Sequence, residues 1–194
     1  MIPAVHAWPS NAHLIRDVAE LGYIGDMVLD VTYGLGNFWT EFQPEYLLGT
    51  DQNAAKSMTG DSVNFTRLPF SDREFQTVVF DPPYKLNGTP DQDTDERYGV
   101  ETPTRWQDRM SLMLDGLIEC CRVAERTVLA KCQDQVCSGK VRWQTLEFEQ
   151  VARGQGFEQV DRFDLLGTAR PQPMEGRRQR HAHGRPSTLL VFQR

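Results

Sequence analysis

The residues best suited to chemistry are Asp81, Pro82, Pro83 and Tyr84, which directly follow the apolar run TVVF. Each proline fixes its own φ and lacks an N–H group, and the residue before a proline is pushed toward extended geometry. The segment therefore predicts a stiff corner that presents the Asp81 carboxylate, the Pro82 carbonyl and the Tyr84 ring. Two fixed acceptors beside an aromatic ring can bind an amino group. A rigid surface turn is the alternative interpretation.

A second candidate is the segment DVTYGLGN, in which Asp30, Thr32, Gly34 and Gly36 lie where a strand turns toward a helix. Glycine at such a turn tolerates positive φ and lets a ligand approach the backbone closely. A plain tight turn would have the same composition, so this segment alone indicates a binding site only weakly.

Two acids follow in the next segments. Asp51 ends the run YLLGTD, 15 residues after Gly36, where an acid at the end of a second strand binds ribose hydroxyls. Asp51 could instead, or in addition, cap a helix. Asp61, in GDSVNFTRLPFSD, can accept from the exocyclic amine of an adenine ring, with Leu68, Pro69 and Phe70 as an apolar wall. The alternative for Asp61 is a solvated turn acid.

Short apolar runs alternate with helical patterns, which predicts an α/β fold in which a doubly wound sheet positions these segments. Helices are expected over 10–22, 106–124 and 143–156, with a short one that begins at FWTEF and stops at Pro44. Strands are expected over 26–31, 46–51, 72–80, 126–131, 160–167 and 187–192. We expect a single domain over 1–194, with a lid or target-contacting loop at 85–105 and an Arg-rich loop at 169–186.

Composition narrows the class of protein. Neither a signal peptide nor a membrane-spanning run is evident, so a cytoplasmic protein is expected. The net charge of −6 argues against a protein that coats nucleic acid non-specifically. Residues 168–194 nevertheless contain six arginines and a single acid, Glu175, which predicts a local contact with an anion.

The four cysteines are expected to be reduced thiols, since no export signal precedes them. A zinc site that combines them with His181 and His183 lacks the paired C-x-x-C spacing, so no metal is expected. A cysteine thiol can also act as a covalent nucleophile. No cysteine is near DPPY in sequence, so we discount covalent chemistry by cysteine there.

The order DVTYGLGN, TDQN, GDSVNFTRLPF and DPPY resembles class I methyltransferases that use S-adenosylmethionine, in particular those that methylate exocyclic amino groups of nucleobases. The resemblance covers about residues 6–84. It implies a Rossmann-like, seven-stranded methyltransferase sheet. It also implies that Asp81 and the Pro82 carbonyl accept the two N–H bonds of the target nitrogen while Tyr84 stacks on the base.

The resemblance also implies contacts for the rest of the site. The expected cofactor contacts are Asp30, Thr32, Gly34, Gly36, Asp51, Asp61 and Pro9. His6, Trp8 and Ser10 could join Pro9 at the methionine end of the cofactor, or Trp8 and Pro9 could merely anchor the following helix. The expected substrate contacts are Pro83, Lys85, Arg170, Arg177, Arg178, Arg180 and Arg185, with Arg97, Tyr98 and Arg105 as further candidates on the 85–105 loop.

The expected activity is methylation of DNA, most simply at N6 of adenine, with N4 of cytosine also open. DNA is favoured over RNA as partner, no membrane contact is expected, and the oligomeric state is left open. The alternatives are an RNA methyltransferase that acts on N6 of adenine or N2 of guanine, and a catalytically silent scaffold subunit. Protein-glutamine methyltransferases usually have Asn in place of Asp81, so they rank lower.

Overall fold

The computed structural model describes residues 1–86, 103, 105–167, 180–182 and 184–194. In these residues seven strands form one mixed sheet in the order β1-β8-β9-β5-β4-β2-β3. Its strands are β1 Val5–His6, β2 Met27–Asp30, β3 Tyr46–Gly49, β4 Phe75–Phe80, β5 Ala124–Cys132, β8 Glu158–Leu165 and β9 Ser187–Gln193. All neighbours are parallel except β9, which runs antiparallel to β5 and β8. The predicted seven-stranded α/β fold is confirmed.

Within the described residues three α-helices pack on the sheet, namely α1 Asn11–Glu20, α2 Trp106–Val123 and α3 Gln144–Gly154. Ser10 occupies the N-cap position of α1 with extended backbone, but its hydroxyl contacts His13 instead of capping the helix. Gly22 has a φ of 81° just beyond the end of α1, a conformation that glycine adopts without strain. The three long helices were therefore predicted to within two residues at each end.

The helix expected after the glycine turn is absent from the described residues. A single 3-10 turn, Asn37–Trp39, takes its place, because Pro44 leaves too few residues for a longer helix. Beyond β3, another 3-10 turn at Ala54–Lys56 leads to an isolated parallel bridge between Asp51 and Ser62. That bridge extends the β3 side of the sheet by one residue pair.

Two features were not predicted. The strand β1 has only two residues and pairs with β8 at the sheet's outer edge. A separate antiparallel hairpin, β6 Gln135–Cys137 and β7 Lys140–Arg142, follows β5. Its turn places Ser138 and Gly139 at positive φ. Both features are too short for a periodic pattern to be visible.

Each face of the sheet has its own core. One face packs against α2, α3 and the segment 63–75, with Phe80, Leu117 and Phe148 fully buried between them. The other face packs against α1 and the 3-10 turn, with Ile15 and Trp39 at its centre. Alternation along the central strands sends successive side chains to opposite faces, so both faces of β4 and β5 are apolar.

Candidate active site

Four neighbouring parallel strands end at the same edge of the sheet. Asp30 ends β2, Asp51 lies two residues beyond β3, Asp81 directly follows β4, and Lys131 lies at the end of β5. The register pairs Phe80 with Ala130, so Asp81 and Lys131 follow side by side. Ligands of doubly wound sheets bind at this edge. The structure therefore brings the acids of three sequence segments together at one place.

The two glycines of the turn differ in what surrounds them. Gly34 has a φ of 58°, and a Cβ built on it would meet nothing closer than the Thr32 carbonyl oxygen at 3.9 Å. Gly36 has a φ of 69°, and its Cβ would lie 2.6 Å from Oη of Tyr33. Gly34 thus leaves open space beside the backbone, where a ligand could approach. Gly36 is instead required by the packing of Tyr33.

Asp30 is 3% exposed and accepts several hydrogen bonds. Oδ2 accepts from Trp39 Nε1 at 2.8 Å, and Oδ1 accepts from the Thr32 N–H at 3.0 Å. Burial raises the pKa of this carboxyl to about 7, and the nearby Asp81 also raises it, although the bonds from Trp39 and Thr32 act in the opposite direction. Asp30 therefore organises the glycine turn from beneath, in the core.

Asp51 is 8% exposed and holds two backbone segments together. Oδ2 accepts from Gly34 N–H at 3.0 Å, and Oδ1 accepts from Asn53 N–H at 2.8 Å. The capping role goes to Asn53, whose side chain accepts from Ala55 N–H. Each Asp51 oxygen has further lone-pair capacity for another donor. The carboxylate can hence serve the turn and a ligand at the same time.

A first cavity lies beside Asp51 and Asp81 and combines polar and apolar walls. Its lining residues are Val31, Thr32, Asp51, Gln52, Phe65, Asp81, Pro83, Pro103, Arg109, Leu112 and Met113. Asp61 is exposed and is not among them, and neither are Leu68, Pro69 and Phe70. Phe65 lines the cavity as an apolar wall in their place.

The DPPY corner is fixed by side chains that the sequence did not point to. The Asp81 N–H donates to Oγ1 of Thr32 at 2.8 Å. The Tyr84 carbonyl accepts from Nε2 of both Gln135 and Gln144, at 2.8 and 2.7 Å. The Gln135 Oε1 atom also accepts from Leu86 N–H at 2.9 Å. The β6–β7 hairpin and α3 thereby hold the corner in one conformation.

A second cleft, of about 710 Å³, opens on the Tyr84 side of the corner. It is lined by Trp8, Pro9, Ser10, Asn11, Asn37, Thr40, Tyr84, Gln133, Leu165, Leu166, Gly167, Arg185 and Ser187. Trp8 is buried, donates from Nε1 to Asp17 at 2.8 Å and packs edge-on against Phe163. Trp8 therefore anchors α1 as well as lining the cleft, whereas His6 is exposed beside it.

Some of the predicted substrate contacts line a cavity, some are exposed elsewhere, and some lie outside the described residues. Pro83 lines the first cavity, and Lys85 is exposed. Arg185 lines the second cleft with its guanidinium 4.5 Å from the Trp143 ring centre, while Arg180 is exposed. Arg170, Arg177 and Arg178 lie outside the described residues, as do Arg97 and Tyr98. Arg105 occupies the N-cap position of α2.

Two buried cations at the site were missed. Arg109 in α2 donates to the carbonyls of Lys85, at 3.0 Å, and of Pro103, so it joins the two ends of the predicted loop. Lys131 in β5 is 3% exposed and lies 3.9 Å from Oδ1 of Asp81. Each interrupts an otherwise apolar pattern, Arg109 beside Met110 and Lys131 at the end of TVLA. A charge within a predicted core run was the available signal.

All four cysteines are buried and unpaired. Among the described residues no group of three or more His, Cys, Asp and Glu side chains could hold a metal ion. Cys132 follows Lys131 at the end of β5, and Cys137 Sγ lies 3.8 Å from the Leu86 carbonyl oxygen, so the fold places two thiols closer to DPPY than their separation in sequence suggested. Burial raises the pKa of the Cys132 thiol far above its usual range, which keeps it inert as a nucleophile.

No family profile matches the sequence, and no curated protein sequence matches it either. In the described part of the chain, no helix is both long and apolar enough to cross a membrane. Similarity appears only among solved structures.

Magnesium protoporphyrin IX methyltransferase ChlM of Synechocystis PCC 6803, crystallised with SAH, superposes with a TM-score of 0.59 at 9% identity, over 95% of this chain and 81% of that chain. The same enzyme with bound SAM gives 0.55 at 10% identity, over 95% and 79%. The cyclase SpnF gives 0.54 at 14% identity, over 94% and 80%. A Bacillus halodurans protein described as a methyltransferase gives 0.52 at 13% identity, over 92% and 97%. The chain therefore has the fold of class I S-adenosylmethionine-dependent methyltransferases.

Proposed function

We propose that this protein transfers a methyl group from S-adenosylmethionine to an exocyclic amino group of a nucleobase in DNA, with N6 of adenine as the preferred acceptor. The observation that carries the proposal is the position of the DPPY corner between two cavities. Asp81 and Pro83 line the first, and Tyr84 lines the second. A donor site and an acceptor site on either side of one rigid corner suit a group transfer.

The first cavity fits the adenosine part of the cofactor. Asp51 can accept from ribose hydroxyls with the lone pairs that Gly34 and Asn53 leave free. Val31 and Phe65 offer apolar surface to a purine ring. The open side of Gly34 allows a ligand to approach the backbone. When bound, S-adenosylmethionine supplies an electrophilic methyl group on a positively charged sulfur.

The corner fits the amino group that would be methylated. The nitrogen of an amino group on adenine is a poor nucleophile, since its lone pair is delocalised into the ring. Asp81 and the Pro82 carbonyl can accept its two N–H bonds, which favours a more tetrahedral nitrogen and stabilises the positive charge that develops on it. Tyr84 offers a ring on which the base can stack after leaving a duplex.

The second cleft supports a nucleic acid substrate. Arg185 stacks on Trp143 at its edge, and arginine can contact phosphate through two N–H groups at once. The net charge of −6 argues against a broad electrostatic surface as the main means of binding nucleic acid. Recognition through Arg185 and the other arginines of the 169–186 segment is therefore part of the proposal.

The test is transfer of a labelled methyl group. Purified protein would be incubated with methyl-labelled S-adenosylmethionine and, separately, double-stranded DNA, single-stranded DNA and total RNA. The nucleosides would then be identified by mass spectrometry, with Asp81→Ala as the inactive control and calorimetry for cofactor binding.

Label in N6-methyldeoxyadenosine that is lost in Asp81→Ala is the expected result. Label in ribonucleosides alone would replace DNA with RNA as the substrate. Cofactor binding without any transfer would overturn the assigned substrate class. Failure to bind the cofactor would overturn the methyltransferase assignment and favour a scaffold role. The cyclase SpnF, which has a similar fold, illustrates that the fold alone does not determine the reaction.

A further inference from the structure

Lys131 is a buried ammonium group beside the proposed catalytic carboxylate. Its Nζ donates to Oδ1 of Asn11 at 2.8 Å and lies 3.9 Å from Oδ1 of Asp81. The same Nζ lies 5.6 Å from the ring centre of Phe38 and 5.8 Å from that of Tyr84. Buried lysines are rare unless paired. The bond to Asn11 and the two rings fix the ammonium where it faces Asp81.

The two oxygens of Asp81 are in different environments. Oδ1 is buried and has no hydrogen-bond partner within the described part of the chain. The Asp81 side chain as a whole is nevertheless 25% exposed, so its exposed surface belongs to the other atoms. Oδ1 thus faces Lys131, and Oδ2 is the oxygen left to accept from a ligand. A buried carboxylate oxygen without a hydrogen bond needs a nearby positive charge.

The charges around Asp81 are of both signs. Burial raises the pKa of the Asp81 carboxyl, and Lys131 lowers it. Asp30 is a second acid coupled to Asp81 through space, and the thiol of Cys132 follows Lys131 directly. Asp51 and Arg109 line the same cavity, with Arg109 bonded to backbone carbonyls. An opposite charge at this distance lowers the pKa of a carboxyl group by roughly one to three units, so Lys131 opposes the effect of burial on the Asp81 pKa.

We propose that Lys131 is a positioning residue that holds Asp81 in its carboxylate form, so that Oδ2 accepts an N–H bond of the target amino group and then its proton. The inference rests on the proposed function. In the transfer, the nitrogen lone pair forms the new N–C bond while the C–S bond breaks and leaves its electron pair on sulfur. One proton then leaves nitrogen for Asp81 Oδ2 and passes to solvent. A protonated Asp81 could not take up this proton, and its neutral carboxyl group would be a weaker acceptor of the N–H bond.

The test that does not need a substrate is a carbon NMR titration of the aspartate carboxyl groups. The Asp81 signal would be assigned by its loss in Asp81→Asn. Replacing Lys131 with the similarly long, neutral methionine should raise the titration midpoint of Asp81 by at least about one unit, a tenfold increase in proton affinity. The exposed Lys140→Met variant is the matched control and should leave it in place. An unchanged midpoint in Lys131→Met would overturn the inference.

A second readout uses methyl transfer. The acidic limb of the rate against pH should move to higher pH in Lys131→Met, with little change in cofactor affinity. Weaker cofactor binding with an unmoved limb would overturn the inference, since Lys131 would then serve the cofactor. If no acceptor is methylated, the proposed function fails, while the NMR titration still decides the role of Lys131. Should Lys131→Met not fold, Lys131→Gln removes the charge and keeps a polar end at Asn11.

Discussion

The backbone N–H of Asp81 donates a 2.8 Å hydrogen bond to the Thr32 hydroxyl, which links the end of β4 to the end of β2. The same hydroxyl lies 3.4 Å from Oδ1 of Asp30. A single side chain therefore connects the glycine turn to the DPPY corner. A change in the position of one segment is transmitted directly to the other.

Thr32→Val should lower the methyl-transfer rate by about tenfold and the free energy of unfolding by about 1 kcal/mol, since the Asp81 N–H loses its acceptor. Thr32→Ser keeps the hydroxyl and should retain most of both. Steady-state kinetics and urea unfolding would measure the two effects. A loss in the serine variant with little loss in the valine variant would show that the methyl group of Thr32 matters instead.

Asp51→Ala should weaken cofactor binding by at least about tenfold, because it removes an acceptor of charge-assisted hydrogen bonds. Asp61→Ala is the comparison, since Asp61 is exposed and outside the first cavity. We expect its affinity, measured by calorimetry, to stay close to that of the wild type. A large loss in Asp61→Ala would restore Asp61 as an adenine contact, as its sequence context first indicated.

Gln144→Leu should destabilise the protein by about 1–3 kcal/mol, the usual cost of leaving buried polar groups without partners. The Gln144 side chain is buried, donates to the Tyr84 carbonyl and accepts from the Gln133 N–H. The exposed Gln150→Leu change on the same helix is the control and should have little effect. Urea unfolding of both variants is the measurement. Equal stability of the two would contradict a stabilising role for the hydrogen bonds of the Gln144 side chain.

Gly116→Ala should also be destabilising although alanine favours helix formation. A Cβ at Gly116 would lie 2.6 Å from Cδ2 of Phe65 and 2.8 Å from Cζ of Phe80. Overpacking of this kind costs about 1–3 kcal/mol, which exceeds the gain of about 1 kcal/mol from helix propensity. Gly154→Ala, with nothing within 4 Å of its Cβ, should be neutral or stabilising. Thermal unfolding that ranks the two in the opposite order would refute the packing argument.

The stability of the protein should fall as the pH rises from about 4 to about 7. Burial raises the pKa of Asp30 from 3.8 to about 7, so the folded protein keeps a proton that the unfolded chain has released in that range. The unfolding free energy then decreases with pH and levels off above about 7, by roughly 4 kcal/mol if Asp30 acts alone. Asp30→Asn should remove this contribution. The measurement is urea unfolding at a series of pH values. If the unfolding free energy of Asp30→Asn falls with pH as steeply as that of the wild type, Asp30 is not the source of the effect.

Hydrophobic periodicity, with Gly and Pro as boundary signals, was enough to predict the longer strands and the long helices. Residues 28–31 and 77–80 are buried on both faces of the sheet, and Gly22 marks the end of α1. The helix expected at FWTEF is a single 3-10 turn at Asn37–Trp39, because Pro44 leaves too few residues for a longer helix. The parts that failed are short elements, whose existence depends on partners far away in sequence.

The site was predicted as a set of backbone turns and acids, and the structure adds what holds them. Asp30, Asp51 and Asp81 come together as their strand ends implied. Spacing in the sequence could not identify the residues that hold the DPPY corner, namely Gln135, Gln144 and Lys131. Each contacts the corner across more than 45 residues of sequence, and Lys131 also contacts Asn11. Long-range side-chain contacts of this kind leave no local pattern.

The packing of α1 against β8 and β9 has a consequence for the synthesis of the chain. Ile15 and Val18 share one core with Phe163 and Val191, and Tyr23 donates to Asp161 across 138 residues. Contacts of such long sequence separation slow folding. Before β8 and β9 are synthesised, Ile15 and Val18 can pack against Val28, Val79 and Leu129 of β2, β4 and β5, but the surface that Phe163 and Val191 later cover stays exposed. A nascent chain with this apolar surface exposed is prone to aggregate until β9 has been translated.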